Sequence, residues 1–255
     1  KETGQPDRTF RQQVQPYWNY WALPPIYEDK EAVIHVDGLY LARNIVVLIA
    51  SGKQGPLGWY LARSESSHAW AALLRRISAP ELVVSDGGTG FEKAQKRLWA
   101  HTKTQRCLYH VFCQIRKMTT SRPNLPAGQE LYVLAKDLLH ISTDAEAKIW
   151  VQCYLDWSKK WNTFLQERTY DNHGYWFYTH ERLHRARSSL NRLLSKNVLF
   201  TYLEEPDYPS TNNRIEGGVN AQLRAMLRNH RGMPLIHRIK AVFWWCYMHS
   251  PNRAP

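Results

Sequence analysis

A chain of 255 residues, 44% of them hydrophobic, can bury a full core. Its longest apolar runs, 45–50 and 241–248, fall far short of the roughly 18 residues that a membrane-spanning helix needs, which excludes such a span. Lys and Arg number 34 against 22 Asp and Glu, a formal net charge of +12, and arginine outnumbers lysine, so the expected partner is a polyanion held by planar, bidentate phosphate contacts.

Four cysteines (Cys107, Cys113, Cys153, Cys246) do not make a disulfide framework in a chain of this length. A reducing intracellular compartment, the cytoplasm, is therefore expected, with a soluble protein. The start, Lys1-Glu2-Thr3-Gly4-Gln5-Pro6, has neither an initiator Met nor the apolar stretch of a secretory signal, which suggests a truncated or processed chain.

Residues 1–30 are polar and then aromatic (Tyr17-Trp18-Asn19-Tyr20-Trp21, then Pro24-Pro25) and read as an arm or linker that lays its aromatic rings on the domain. Three strand-like runs follow, at 31–37, 44–50 and 56–62, with turn-rich stretches between them, the pattern of an antiparallel meander. From Ser66 the period becomes helical, with Ala69, Leu73, Leu74 and Ile77 on one side. A strand at 81–85, a helix at 89–100 and a strand at 104–109 complete the order β-β-β-α-β-α-β. The alternating part calls for parallel strands, and joining it to the meander gives a mixed five-stranded sheet with the first strand beside the fourth. Helices are expected at 109–118, 128–140, 143–168 and 175–197, a break at 204–209, and two last helices at 213–229 and 234–249. The division that follows is a first core part at 31–118, a helical insertion at 119–205 and C-terminal core helices at 206–255.

Three acids stand out against this frame. Asp37 closes the apolar run Val33-Ile34-His35-Val36, and Asp86 closes Leu82-Val83-Val84-Ser85, so both are expected at strand ends. Glu216 lies in Thr211-Asn212-Asn213-Arg214-Ile215-Glu216, at the start of a basic helix. If the strands are neighbours and the helix packs across them, three hard oxygen ligands converge, which suits Mg²⁺ or Mn²⁺ better than zinc. Each acid has a plainer reading. Asp37-Gly38 is a hairpin signal, Asp86 is a helix cap, and Asn213-x-x-Glu216 resembles a capping box. Past Glu216, the residues Asn220, Arg224, Arg228 and Arg231 form a row, with Ile215, Val219, Leu223, Met226 and Leu227 on the apolar side. No acid occurs between Ala221 and Phe243, which favours phosphate contacts over an ordinary mixed-sign surface.

Two motifs point toward zinc and lack complete ligand sets. Cys107-x-x-His110, with Cys113 beyond, has no second pair nearby to close a tetrahedron, and reads as a buried Cys and a polar His near Asp86. His180-Glu181-Arg182-Leu183-His184 matches the metallopeptidase H-E-x-x-H, but Arg182 and Arg185 flank it and no third ligand follows in the extended pattern. The aromatics Trp150, Tyr154, Trp157, Trp161, Tyr170, Tyr175, Trp176, Phe177 and Tyr178 are expected to be core for all but one or two, the remainder being free to stack on bases.

Val36-Asp37-Gly38, Ser85-Asp86-Gly87-Gly88, Cys107-x-x-His110 and Thr211–Glu216 leading into Asn220-Ala221-Gln222-Leu223-Arg224 together resemble the Mutator-like DDE transposases of bacterial insertion sequences, over about residues 31–249. That resemblance implies an RNase H-like mixed sheet flanked by helices, with an all-helical insertion before the last catalytic helix. Asp37, Asp86 and Glu216 would hold two Mg²⁺ ions, Mn²⁺ substituting, for DNA cleavage at transposon ends and strand transfer into target DNA. Asn220, Arg224, Arg228 and Arg231 would contact DNA, with Cys107 and His110 accessory. It further implies a homodimer or larger oligomer on DNA, association with the bacterial nucleoid, and an upstream DNA-binding region that is not evident here. A metal-dependent nuclease on the same fold, or a catalytically idle DNA-binding derivative, is the alternative.

Overall fold

The computed structural model describes residues 4, 6–230 and 232–251. By packing, the chain divides into two units. The first takes in the residues up to Val83, Gly87–Thr102 and those from Asn213 on; the second comprises Val84–Asp86 and Lys103–Asn212.

The first unit opens with helix α1 (Asp7–Val14) and a 3₁₀ turn, Gln15–Asn19. The aromatic residues after it lie on the domain. Trp18 stacks on His237 at 4.7 Å between ring centroids, Trp21 meets Phe243 edge-on at 5.3 Å, and Trp59 Nε1 donates to the carbonyl of Ala22 at 2.9 Å. Strands β1 (Val33–Ala42), β2 (Ile45–Ser51) and β3 (Pro56–Ala62) then form the expected antiparallel meander.

One boundary differs in a way that matters. The first strand does not end at Asp37: Asp37 and Gly38 lie inside β1, opposite Ile49 and Leu48, and the chain reverses at Arg43-Asn44. The reason is burial. Leu39 and Leu41 continue the alternation and are 2% and 6% exposed, so extending the strand buries two more leucines, each worth about 1.5–3 kcal/mol, against which the local Asp-Gly turn preference is small.

Helix α2 (Ser67–Leu74) is capped by Ser66, whose Oγ accepts the N–H of Ala69 at 3.2 Å. Strand β4 (Leu82–Ser85), helix α3 (Thr89–Leu98) and strand β5 (Lys103–Arg106) follow. The five strands order as β3-β2-β1-β4-β5 in a mixed sheet, with the first strand beside the fourth as the element order requires. Side chains of even number on β1, Ile34 and Val36, pack with Val46, Leu48, Trp70 and Phe91 under α2 and α3. The odd ones, Leu39 and Leu41, pack with Val47, Ile49 and Trp59 on the other face. That face is covered by the end of the chain: a π-helical segment, Arg214–Asn220, then α9 (Ala221–Asn229) and α10 (Leu235–Met248).

The second unit is mainly helical. Helices α4 (Leu108–Thr119), α5 (Pro126–Asp137), α6 (Asp144–Lys160), the single turn α7 (Asn162–Leu165) and α8 (Glu181–Ser195) share a core that includes Leu108, Ile115, Leu131, Trp150, Tyr154 and Leu190. Helix α6 begins with a full capping box between Thr143 and Glu146.

The expected helices at 143–168 and 175–197 give way between Arg168 and Tyr178 to a hairpin, β6 (Arg168–Tyr170) and β7 (Trp176–Tyr178). Asp171 Oδ1 accepts the N–H groups of His173 and Tyr175, and Gly174 takes φ +80°, so side-chain turn chemistry overrides the helical pattern. The expectation for the aromatics is corrected with it. Trp150, Tyr154 and Trp157 are core, but Tyr170, Tyr175, Trp176 and Phe177 are all exposed, because a two-stranded ribbon has no opposite sheet to bury them.

Candidate active site

Asp37 is held from two sides within the first unit. Its Oδ1 accepts the backbone N–H of Gly38 at 2.8 Å, and its Oδ2 accepts Nδ2 of Asn220 at 2.6 Å. Asn220 closes the π-helical segment and is fully buried, and its other amide atom, Oδ1, has no hydrogen-bond partner among the described residues. Flipping the amide would set oxygen against a carboxylate oxygen, so Asp37 itself fixes the orientation.

Glu216 is half-buried and lies four residues before Asn220 in the same segment, so the two sit about one turn apart. Ile215 and Val219 anchor that segment in the core over β1 and β2, and Arg214 Nη1 donates to the carbonyl of Lys53 at 3.0 Å. The capping-box reading of Glu216 fails on geometry. Asn213 is already in the right-handed helical region and makes no side-chain cap hydrogen bond. A π-helical stretch of seven residues is rare, and such stretches concentrate at functional positions.

In the second unit, Asp86 follows β4 directly, as the sequence implies, and is half-buried. Ser85 accepts the backbone N–H of Cys107 at 2.9 Å, which brings the first residues of α4 beside the strand end that carries Asp86. Cys107 is buried and its Sγ accepts the backbone N–H of Asn212 at 3.2 Å; His110, one turn on, is half-buried. Gly87 then turns the chain with φ +82°, a conformation that side chains with a Cβ rarely adopt.

Among the residues expected to meet DNA, Arg224 and Arg228 are exposed on α9 and Arg231 lies outside the described residues. Asn220, in the same expected row, has no exposed surface and donates to Asp37. The spacing from Glu216 to Asn220 was the available signal for this role, and it reads equally well as the start of the basic row.

The histidines of the H-E-x-x-H pattern have other partners. His180 stacks on Phe164 at 3.7 Å between centroids and its Nε2 lies 3.1 Å from Glu167; His184 stacks on Tyr178 at 3.8 Å. Burial, with the charge of Arg187, holds His184 below the usual imidazole range. Aromatic packing therefore accounts for both rings.

The sequence profile described as "Transposase, Mutator family" matches residues 30–197, more than half of the chain. The chain belongs to this family. Asp37 and Asp86 fall within the match and Glu216 beyond it. Over 51 residues the chain is 43% identical to the transposase for insertion sequence element IS6120 of Mycolicibacterium smegmatis, covering 18% of this chain and 16% of that protein. Over 100 residues it is 30% identical to the transposase for insertion sequence element IS905 of Lactococcus lactis subsp. lactis (strain IL1403), covering 33% of this chain and 26% of that protein. The matched stretches thus span about a quarter or less of these relatives. Among the described residues no helix is long and apolar enough to cross a membrane.

Proposed function

We propose that the chain is the catalytic part of a DDE transposase of RNase H-like architecture, which cuts DNA at the ends of an insertion sequence and joins them to target DNA. The observation that carries this reading is the hold on Asp37: a carboxylate in the middle of a central strand, fixed by a buried amide one turn from Glu216. The strand beside β1 in the sheet is β4, which ends at Ser85.

The donor set fits a hard divalent cation. Asp37, Asp86 and Glu216 offer carboxylate oxygens, and the unpartnered Oδ1 of Asn220 is a further buried oxygen of a kind that ordinarily requires a donor, a water or a cation. Mg²⁺, or Mn²⁺ in its place, would be held by the three carboxylates, and two such ions would activate the attacking oxygen and stabilise the leaving one. The protein's own part is positional. Asn220 keeps Asp37 from rotating, the π-helical segment presents Glu216, and Arg224 and Arg228 offer bidentate contacts to backbone phosphates.

The test is isosteric. Asp37→Asn, Asp86→Asn and Glu216→Gln each keep shape and remove the charge that holds the cation, so each should abolish cleavage and joining of labelled element ends with supercoiled target and Mg²⁺, while the fold and metal-free DNA binding persist. In the parent, Mg²⁺ should raise the melting temperature more than in any of the three variants. A Glu216→Gln protein with full activity would overturn the proposal, and cleavage without joining would point to a nuclease.

A further inference from the structure

A cleft of about 650 Å³ lies within the first unit at the outer side of β3, the edge strand of the sheet. It takes walls from both faces of that edge. Trp59 and Phe243 of α10 stand on one face; Tyr60, on the alternate side of β3, stands on the other with Ala72 of α2 and the two residues that end α2, Arg75 and Arg76. The arm between Trp21 and Pro24 supplies the remaining wall. We propose that this cleft is a docking site for an acidic segment of a partner protein, which seats a bulky apolar side chain among the rings and sets a neighbouring carboxylate on Arg75. The site goes beyond the transposase reading and is separate from the three acids. Trp59 lies opposite Ile49 and Ile49 opposite Asp37, so two strand spacings, about 10 Å, lie between the floor of the cleft and Asp37.

The cleft is built by contacts of the chain with itself. Trp21 meets Phe243 edge-on at 5.3 Å, and Phe243 meets Trp59 in the same way at 6.4 Å. Trp59 Nε1 and Arg76 Nη2 donate to the arm carbonyls of Ala22 and Pro24, and the Tyr27 N–H donates to the carbonyl of Arg76 at 2.8 Å. A preformed, mostly apolar concavity of this size, with few polar groups, is of the kind that receives a ligand's side chains. Its apolar character continues on the rim. Leu23 and Ile26 of the arm are each 64% exposed, and the Tyr60 ring is exposed beside them, so the apolar surface is wider than a small molecule covers and matches a protein.

Charge selects the kind of protein. Among the described residues neither Arg75 nor Arg76 has a carboxylate partner, and Nε of Arg76 is buried without a hydrogen-bond partner. Guanidinium groups with unmet donors at the edge of an apolar cleft call for an acceptor, and a carboxylate is the strongest that a protein offers. A second copy of this chain brings a net +12 against +12, which opposes that pairing. DNA would set a phosphate backbone against walls that are mostly apolar.

Panning a random-peptide display library on the whole chain, with counter-selection on Ala72→Trp to fill the cleft, tests this without metal or DNA. The recovered sequences should place Trp, Phe or Leu next to Asp or Glu. A fluorescein-labelled peptide of recovered sequence should bind Arg75→Glu about tenfold more weakly than the parent by anisotropy, and the same peptide with Lys for its acids should bind Arg75→Glu better than it binds the parent. Arg75 is exposed, so this variant keeps the fold, as its melting curve should show, and carries the test even where Ala72→Trp fails to fold. Recovered sequences that are basic or lack an apolar residue, or a peptide that binds Arg75→Glu like the parent, would overturn the proposal. Displacement of the peptide by a single-stranded or duplex oligonucleotide would overturn it in favour of DNA. Concentration-dependent self-association of the parent that Arg75→Glu abolishes would overturn it in favour of a second copy. Failure here leaves the Asp37→Asn outcome untouched, since peptide binding is read without catalysis.

Discussion

Asn220 has no charge and takes no proton at neutral pH, yet it determines where a charge sits. Replacing it with Ala removes the donor to Asp37 Oδ2 and leaves a void in a fully buried position. We expect a stability loss of about 1–3 kcal/mol in urea titrations and a fall in cleavage of about 10–100-fold, as for other residues that orient a ligand. Asn220→Asp makes a sharper test, because a second carboxylate beside Asp37 raises the affinity of the pair for a proton. The acid limb of the cleavage pH profile should therefore move to higher pH, with activity recovered as pH rises; an unmoved limb would separate Asn220 from the reacting centre. At this scale the sequence was partly legible. Asp86 follows its strand directly because an apolar run stops at Ser85. The mid-strand position of Asp37 was hidden, since Gly38 interrupts the apolar pattern and only the burial of Leu39 and Leu41 reveals that the strand continues.

At the scale of elements, the strands and most helices follow from periodicity, and the sheet order follows from the alternation of strands and crossovers. Two features did not. A helical pattern of apolar residues does not distinguish a 3.6-residue turn from the wider π turn at Arg214–Asn220, and the hairpin between β6 and β7 depends on one Asp and one Gly within an aromatic-rich stretch. The second unit's helices also give a pH prediction. Tyr202 Oη donates to the carbonyl of Ile141 at 2.7 Å, and burial, with Glu146 nearby, pushes its hydroxyl up to about 12, against about 10 in an unfolded chain. Burial moves Tyr154 in the same direction. Since the folded state holds these protons more tightly, the stabilisation is complete below pH 10 and is lost as pH rises from 10 toward 12. Urea midpoints should fall over that window, and Tyr202→Phe should flatten part of the decline; a variant with the parent's slope would show that Tyr202 does not contribute.

For the whole molecule, the net charge of +12 sets up the expectation of a polyanion partner, but where the positive groups gather depends on chain path, which composition does not contain. The first unit is assembled from stretches far apart in sequence, and the face of β1–β3 that bears Leu39, Leu41, Val47, Ile49 and Trp59 is covered mainly by residues from Asn213 on, with Ala22 beside them. A fragment ending at Asn212 should thus expose that face, bind a hydrophobic dye and elute as aggregate; a monomeric, cooperatively melting fragment would show that the cover is dispensable. The same arrangement governs the chain's birth on the ribosome. Asp37 and Asp86 emerge early, on a sheet still bare on one side, and Glu216 arrives with the very segment that closes it. Translation that stops before Glu216 therefore leaves that face of the sheet bare and the chain without the third of the three acids.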